Sequence, residues 1–168
     1  KPVEGWPKAR IDKYLKDHNI DILDNYLPFD EKVLPGVHKV STRGNINFMP
    51  RDDDMDYVII GLLALEKRGI KTSARTIANT WVDRLPFNVV YTAEECAYRN
   101  FVNSIWPPLS GTHRNPFREW IGAQIRADVF GYVTPGLPEI GAKLAFNDAS
   151  ISHCLLYTSD AADDGLSV

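Results

Sequence analysis

The stretch Arg51-Asp-Asp-Asp-Met-Asp-Tyr-Val-Ile-Ile-Gly-Leu-Leu-Ala-Leu65 decides the fold, because a dense acidic head leads directly into an apolar run. Aspartate is favoured at helix N-termini, where it caps backbone N–H groups and meets the positive end of the helix dipole. Apolar residues lie on every side of the predicted helix, so the sequence predicts a buried helix over residues 52–68 that ends at Gly69.

The acidic head also has a chemical meaning. The aspartates at positions 52, 53, 54 and 56 repel one another, and a hard divalent cation with oxygen ligands would relieve that repulsion. A solvated helix start explains one or two such residues equally well. Local chemistry alone leaves both interpretations open.

Helical patterns continue on both sides of this segment. Helices are predicted over residues 7–19, from Thr72 or Ser73 to about 84, from a Thr92-Ala-Glu-Glu95 capping box to 106, in a stretch from Asn115, and from about Pro138. In the last helix, the apolar stripe Leu137, Ile140, Leu144 and Ile151 runs beside the small residues Gly141, Ala145 and Ala149. Residues 20–50 are rich in proline and glycine and predict a loop. Because long alternating strand patterns are absent from the sequence, the predicted fold class is all-α.

Composition bounds the class of protein. The chain has 168 residues, of which 44% are hydrophobic and 24% charged, and these values are typical of one globular domain, predicted here over residues 1–153. The net charge of −3 argues against a nucleic-acid partner. The apolar runs are far shorter than the ~20 residues that span a bilayer. We therefore expect a cytoplasmic protein without a membrane partner.

The C-terminal stretch 154–168 has a different character. Cys-Leu-Leu-Tyr-Thr-Ser-Asp-Ala-Ala-Asp-Asp, from residue 154, back-translates to a string that resembles a transposase adapter used in short-read library preparation. We expect residues 154–168 to be a non-native tail, and a polar disordered C-terminus is the alternative.

Two metal-binding motifs compete for the acidic head. An EF-hand loop requires Gly at its sixth position and Glu at its twelfth, and the chain has Tyr57 and Leu63 there, so this motif fails. Asp52-Asp53-x-x-Asp56 matches the aspartate-rich motif of isoprenoid synthases. Those enzymes place the motif inside a long helix, whereas Pro50 puts these aspartates at a helix start.

A third candidate draws on most of residues 1–153. The segments that carry it are Lys1-Pro-Val-Glu-Gly-Trp6, Met49-Pro-Arg-Asp-Asp-Asp-Met-Asp-Tyr57, Leu65-Glu-Lys-Arg-Gly69, Asn115-Pro-Phe-Arg-Glu-Trp-Ile-Gly-Ala-Gln-Ile-Arg-Ala-Asp-Val-Phe-Gly-Tyr132, Pro135-Gly-Leu-Pro-Glu139 and Asn147-Asp-Ala-Ser-Ile-Ser-His153. In this order they resemble the ADP-ribosylglycohydrolase family. The resemblance implies an orthogonal multi-helix bundle, here incomplete.

The resemblance implies roles for particular residues. Asp52, Asp53 and Asp54 match the metal ligands of the first family motif, and Met55 stands where many relatives have Thr. Asp53 and Asp54 would also take part in catalysis, together with Glu4, which matches a flap glutamate that acts as general base or gate. Substrate would be bound by the matching residues Gly122, Ala123, Gln124 and His153. Arg126 matches a recurrent arginine that would orient Asp128 or a neighbouring carboxylate.

The implied activity is magnesium-dependent hydrolysis of the glycosidic bond of ADP-ribosylated substrates. Two Mg²⁺ ions, with Mn²⁺ as the alternative, would act on an ADP-ribosylated protein or a small-molecule ADP-ribose conjugate. The family's second metal motif, Asp-x-Asp-Thr, follows the position of His153, so we expect a fragment truncated at both ends that is inactive alone and binds Mg²⁺ weakly. The alternatives are a degenerate protein that binds ADP-ribose or another nucleotide without cleaving it and, more distantly, an isoprenoid-synthase-like magnesium enzyme.

Overall fold

The computed structural model describes residues 2–154, and in this range the chain is all-α, as the sequence predicts. Eight α-helices and three short 3₁₀ helices form the described range, which contains no strand. The chain divides into two compact units, Lys1–Arg51 and Asp52–Val168, whereas the sequence predicted one domain over residues 1–153. The boundary lies directly after Arg51, where the loop-rich segment ends and the acidic helix begins.

The first unit contains one helix and a long irregular segment. Helix α1 spans Lys8–Asp17, within the predicted range, and a 3₁₀ helix spans Gly36–Ser41. Tyr14, Leu27 and Leu34 form its small buried core. The Tyr14 hydroxyl donates a hydrogen bond of 2.7 Å to the Pro28 carbonyl, which holds the loop against α1.

Helix α2 opens the second unit and follows the sequence prediction closely. It spans Asp53–Arg68, Asp52 is its N-cap, and Gly69 ends it with φ of 55°. A residue with a side chain is strained at this positive φ, which explains the glycine. The prediction that α2 is buried all round is wrong, because Met55, Ile59 and Leu62 are exposed. The opposite face of α2 packs into the core with Tyr57 and Ala64.

The next two helices begin differently from each other. Helix α3 spans Ala74–Arg84, and the Ser73 side chain caps it by accepting a hydrogen bond from the Thr76 backbone N–H. Helix α4 spans Thr92–Val102, so it ends before the predicted residue 106. The predicted capping box is wrong: Tyr91 is the N-cap of α4 and no side chain caps it. Thr92 lies inside the helix start with φ of 45°, so it does not occupy the N-cap geometry.

Short helices connect α4 to the last long helix. Helix α5 spans Leu109–Thr112, α6 spans Gly122–Ile125, α7 spans Asp128–Tyr132 and α8 spans Pro138–Ala149. The interruption predicted near residues 131–136 separates α7 from α8. Gly141 on α8 faces Thr134, whose Oγ1 would lie 2.6 Å from an added Cβ. The small-residue stripe therefore allows the close approach that the sequence predicted.

The main core of the second unit lies between α2, α3, α4, α7 and α8. It is centred on Trp81, Phe101 and Phe130, and Leu144 and Ile151 from the predicted stripe are fully buried in it. Leu137, from the same stripe, is 51% exposed. None of the helices in residues 2–154 combines the length and the apolarity needed to cross a bilayer. The predicted tail lies outside the described residues except for Cys154, which is exposed.

Candidate functional site

The acidic head of α2 brings three carboxylates together. One carboxylate oxygen from each of Asp52, Asp53 and Asp54 lies within 4.8 Å of the others. Asp52 is held by its capping role, since its Oδ1 accepts a hydrogen bond of 3.2 Å from the Met55 backbone N–H. Asp52 and Asp53 are half-buried and Asp54 is exposed. The three side chains therefore form a cluster that is partly accessible to solvent.

The donor set of this cluster fits a hard divalent cation. All three donors are carboxylate oxygens, which Mg²⁺ and Mn²⁺ prefer. Oxygens that share one Mg²⁺ lie about 3.0 Å apart when adjacent and about 4.2 Å apart when opposite, so the upper limit of 4.8 Å for this cluster is slightly wider than the spacing that a shared ion requires. Met55, by contrast, is a poor ligand for a hard cation, and in the structure it contributes its backbone N–H to the cap.

Asp56 differs from the other three aspartates. It lies in the first turn of α2, and its backbone N–H donates a 2.9 Å hydrogen bond to the Asp52 carbonyl. The group of close ligand atoms contains Asp52 to Asp54 and leaves out Asp56. The structure therefore places Asp56 in the first helical turn and outside this group.

A second cluster of charges is buried in the core of this unit. Arg126 is 1% exposed and donates hydrogen bonds from Nη1 to Glu94 Oε1 and from Nε to Asp148 Oδ2, the latter at 2.7 Å. Its Nη2 also donates to the Asp148 backbone carbonyl at 3.1 Å. Arg126 therefore holds two buried carboxylates from α4 and α8. The predicted partner Asp128 is exposed, so the alternative of a neighbouring carboxylate is the one that holds.

Burial sets the protonation behaviour of this Arg126 cluster. Desolvation raises the pKa of Glu94 and of Asp148 above their ordinary values, and the attraction of Arg126 opposes the rise. One guanidinium cannot fully compensate two buried carboxylates. The guanidinium also lies 5.1 Å from the Trp81 ring and 5.4 Å from the Tyr57 ring, so aromatic faces supply part of its surroundings.

Asp53 connects the two clusters electrostatically. Its charge contributes to the raised pKa of Glu94 and of Tyr57, after the larger contribution of burial. Asp53 and Tyr57 are separated by one turn of α2. The acidic head therefore borders the Arg126 cluster at the N-terminal end of this helix.

Gly122 lies directly against Glu94. A Cβ added at position 122 would fall 1.9 Å from Glu94 Oε1, so this side of the residue has no room for a side chain. The close contact with Glu94 therefore explains why residue 122 is a glycine, and no ligand is needed for that explanation. Gly122 also begins a helix of only four residues, which gives little dipole for the phosphate that the sequence interpretation placed here.

The other predicted substrate-binding residues have different environments. Ala123 is buried and Gln124 is exposed. His153 is 4% exposed, and its Nδ1 is 2.8 Å from Ser152 Oγ. Burial and then the nearby Arg126 charge lower the pKa of His153 to about 3, so the ring is neutral at pH 7. Gln124 is the member of this set that solvent reaches most freely.

Glu4 belongs to the first unit. It is exposed and lines a cavity of about 430 Å³ together with Trp6, Arg10 and His38. The Arg10 guanidinium stacks over the Trp6 ring at 3.7 Å from its centroid. The catalytic role of Glu4 stays a prediction from the resemblance.

The sequence interpretation missed Glu94, Asp148 and Tyr57. Glu94 falls within the predicted Thr92–Glu95 capping box, and the sequence predicts no role for Asp148. A signal for Asp148 was present, because it lies four residues after Leu144 on the apolar stripe of α8. A carboxylate at such a position indicates a buried partner of opposite charge.

Comparison with protein-family models, with curated proteins and with solved structures gives no match to this chain. The basis for a functional proposal is therefore the geometry of the acidic head and the Arg126 cluster, together with the motif resemblance.

Proposed function

We propose that the Asp52–Asp54 cluster belongs to a magnesium-dependent site that hydrolyses the glycosidic bond of ADP-ribosylated substrates. The observation that carries this proposal is the convergence of the Asp52, Asp53 and Asp54 carboxylates within 4.8 Å at the start of α2. The motif order that resembles the ADP-ribosylglycohydrolases supplies the reaction class. A cytoplasmic location is part of the same proposal.

The three aspartates would have distinct tasks. Asp52 is fixed by the cap, so it offers a positioned oxygen without further ordering. Asp53 and Asp54 lie in the first turn of α2, at the positive end of the helix dipole. Bound Mg²⁺ would polarise a water and the ribose hydroxyls. The carboxylates would hold the ions and stabilise positive charge that develops on the sugar ring.

The Arg126 cluster would support this site from behind. Glu94 lies directly against Gly122, and its carboxylate accepts a hydrogen bond from Arg126 Nη1. It would thereby support the Gly122–Gln124 segment from the buried core. Substrate contacts at Gln124 and at the backbone of this segment would be positioned by a rigid, buried support.

The test is magnesium-dependent release of ADP-ribose from ADP-ribosylated protein, assayed with the gene product that contains this sequence. We expect turnover that is lost with Asp53→Ala plus Asp54→Ala and retained with Glu139→Gln, an exposed acid in the first turn of α8. Turnover that survives the double substitution would refute the metal assignment. Calorimetry with ADP-ribose, run in parallel, identifies the alternative of a nucleotide-binding protein if binding occurs without turnover.

A further inference from the structure

Two buried polar atoms beside Glu94 have no hydrogen-bond partner among the described residues. They are the Tyr57 hydroxyl oxygen and His153 Nε2, on side chains that are each 4% exposed. An unpaired buried polar group costs about 1–3 kcal/mol, so two such atoms at one place indicate an additional bonding partner.

The geometry around Glu94 defines where this partner lies. His153 Nε2 is 4.0 Å from Glu94 Oε1, which is too long for a direct hydrogen bond and too short for a second side chain to enter. A separation of 4.0 Å is one that a single water molecule can bridge, with hydrogen bonds of about 2.8 Å to both atoms at a bent angle. The Tyr57 ring centroid lies 5.4 Å from the Arg126 guanidinium, which donates a hydrogen bond to Glu94 Oε1, so the Tyr57 side chain belongs to the same buried group.

Other occupants fit less well. Among the described residues, only Asp52, Asp53 and Asp54 bring three metal-ligating side chains close together, so the gap lacks a metal donor set. Its nitrogen donor is also unsuited to a hard cation. A proton on Glu94 would not by itself bridge 4.0 Å to the imidazole. Water can donate to Glu94 and serve both other atoms as donor or acceptor.

We propose that the second unit contains a specific internal water site formed by Tyr57 Oη, the Glu94 carboxylate and His153 Nε2. The bound water connects α2, α4 and the segment after α8 at a point where no two of the three side chains bond directly. Its existence does not depend on the proposed hydrolase activity.

The direct test is a crystal structure of the 168-residue chain at neutral pH and at a resolution that shows ordered water. We expect one density peak at hydrogen-bond distance from all three atoms. A dry gap would overturn the proposal, as would a direct bond between Tyr57 and Glu94 or an ion at metal-ligand distances.

A double-mutant cycle tests the same site in solution. In the parent chain, Tyr57→Phe should lower the ratio of folded to unfolded protein by about fivefold. In a His153→Leu background, which already lacks one of the bonds to the water, the same change should have a much smaller effect. Tyr132→Phe is the control, since Tyr132 is 76% exposed. Additive effects of the two substitutions, or no effect of Tyr57→Phe, would contradict the shared water.

Discussion

The acidic head of α2 and the Arg126 cluster use the same chemical groups in opposite environments. Asp52, Asp53 and Asp54 are adjacent in sequence and reached by solvent, so water and ions can screen their repulsion. Glu94 and Asp148 are far apart in sequence and are 4% and 3% exposed, and Arg126 is the cation that compensates their charge among the described residues. The comparison indicates that carboxylates in the first group can change with little loss of stability, whereas the second group is essential to the fold.

The most disruptive test of this comparison is Arg126→Met. It leaves two buried carboxylates without a cation, and breaking a buried ion pair in this way costs about 3–5 kcal/mol. We expect the free energy of unfolding at pH 7, measured by urea denaturation, to fall by that amount. Arg84→Met, at an exposed arginine in the last turn of α3, should change it by less than about 0.5 kcal/mol. Similar losses in the two variants would contradict the role of Arg126.

The free energy of unfolding of Arg126→Met should depend on pH in a direction that the buried carboxylates determine. Burial raises the pKa of Glu94 and Asp148 in the folded chain, so the folded state binds protons more tightly than the unfolded chain does. Stability from these groups therefore increases as the pH falls from 7 toward the unfolded carboxyl pKa of about 4. We expect Arg126→Met to recover part of its lost stability near pH 5. A monotonic loss on acidification in this range would contradict the assignment.

Gly122→Ala tests the contact between the Arg126 cluster and the predicted substrate segment. The new methyl group would fall 1.9 Å from Glu94 Oε1, and overpacking of this kind costs about 1–3 kcal/mol. Gly131→Ala is the matched control, because nothing lies within 4 Å of its added Cβ and the residue is helical. We expect thermal unfolding to show a loss for the first variant and no loss for the second.

The shorter side chain in Glu94→Asp should make room for the new methyl group. In that background we expect Gly122→Ala to cost less than in the parent chain. Equal costs in both backgrounds would show that Glu94 is not the obstacle.

Local signals account for what the sequence predicted well. The Asp52 cap, the Gly69 stop and the Ser73 cap each depend on residues within one or two turns, and all three are present. The Arg126 cluster could not be found in this way, since Glu94 and Arg126 are 32 residues apart. Glu94 sits in a local pattern typical of a capping box, and tertiary packing overrides that pattern by burying the helix start of α4.

The acidic start of α2 was predicted, but the exposure of one apolar face of this helix was not. The apolar content of α2 predicted burial on all sides, yet Ile59 is 50% exposed and Leu62 is 44% exposed. The composition of a helix shows how apolar it is. Which of its faces are buried depends on how many other helices pack against it. The Asp52–Asp54 cluster was accessible to sequence reasoning because three consecutive residues at a helix start remain close in any fold.

Asp52→Ala has a smaller expected effect on stability. It removes the side chain that accepts from the Met55 N–H, and loss of an N-cap costs about 1 kcal/mol. Asp52→Asn keeps a capping oxygen and should retain most of that stability while losing one negative charge. Urea denaturation of the two variants separates the capping role from the charge. If both lose the same stability, the cap is not the reason.

The smallest effect on stability is expected for Asp53→Asn combined with Asp54→Asn. Relief of like-charge repulsion opposes the loss of favourable helix-dipole interactions, so the free energy of unfolding should change by less than about 1 kcal/mol. The response to Mg²⁺ should change instead. Millimolar Mg²⁺ should raise the melting temperature of the parent chain slightly, since a ligand that binds only the folded state stabilises it. The variant should show no rise beyond that produced by NaCl at equal ionic strength, and Glu139→Gln should respond like the parent. An unchanged Mg²⁺ response in the double variant would place the cation elsewhere and leave the acidic head as a solvated helix start.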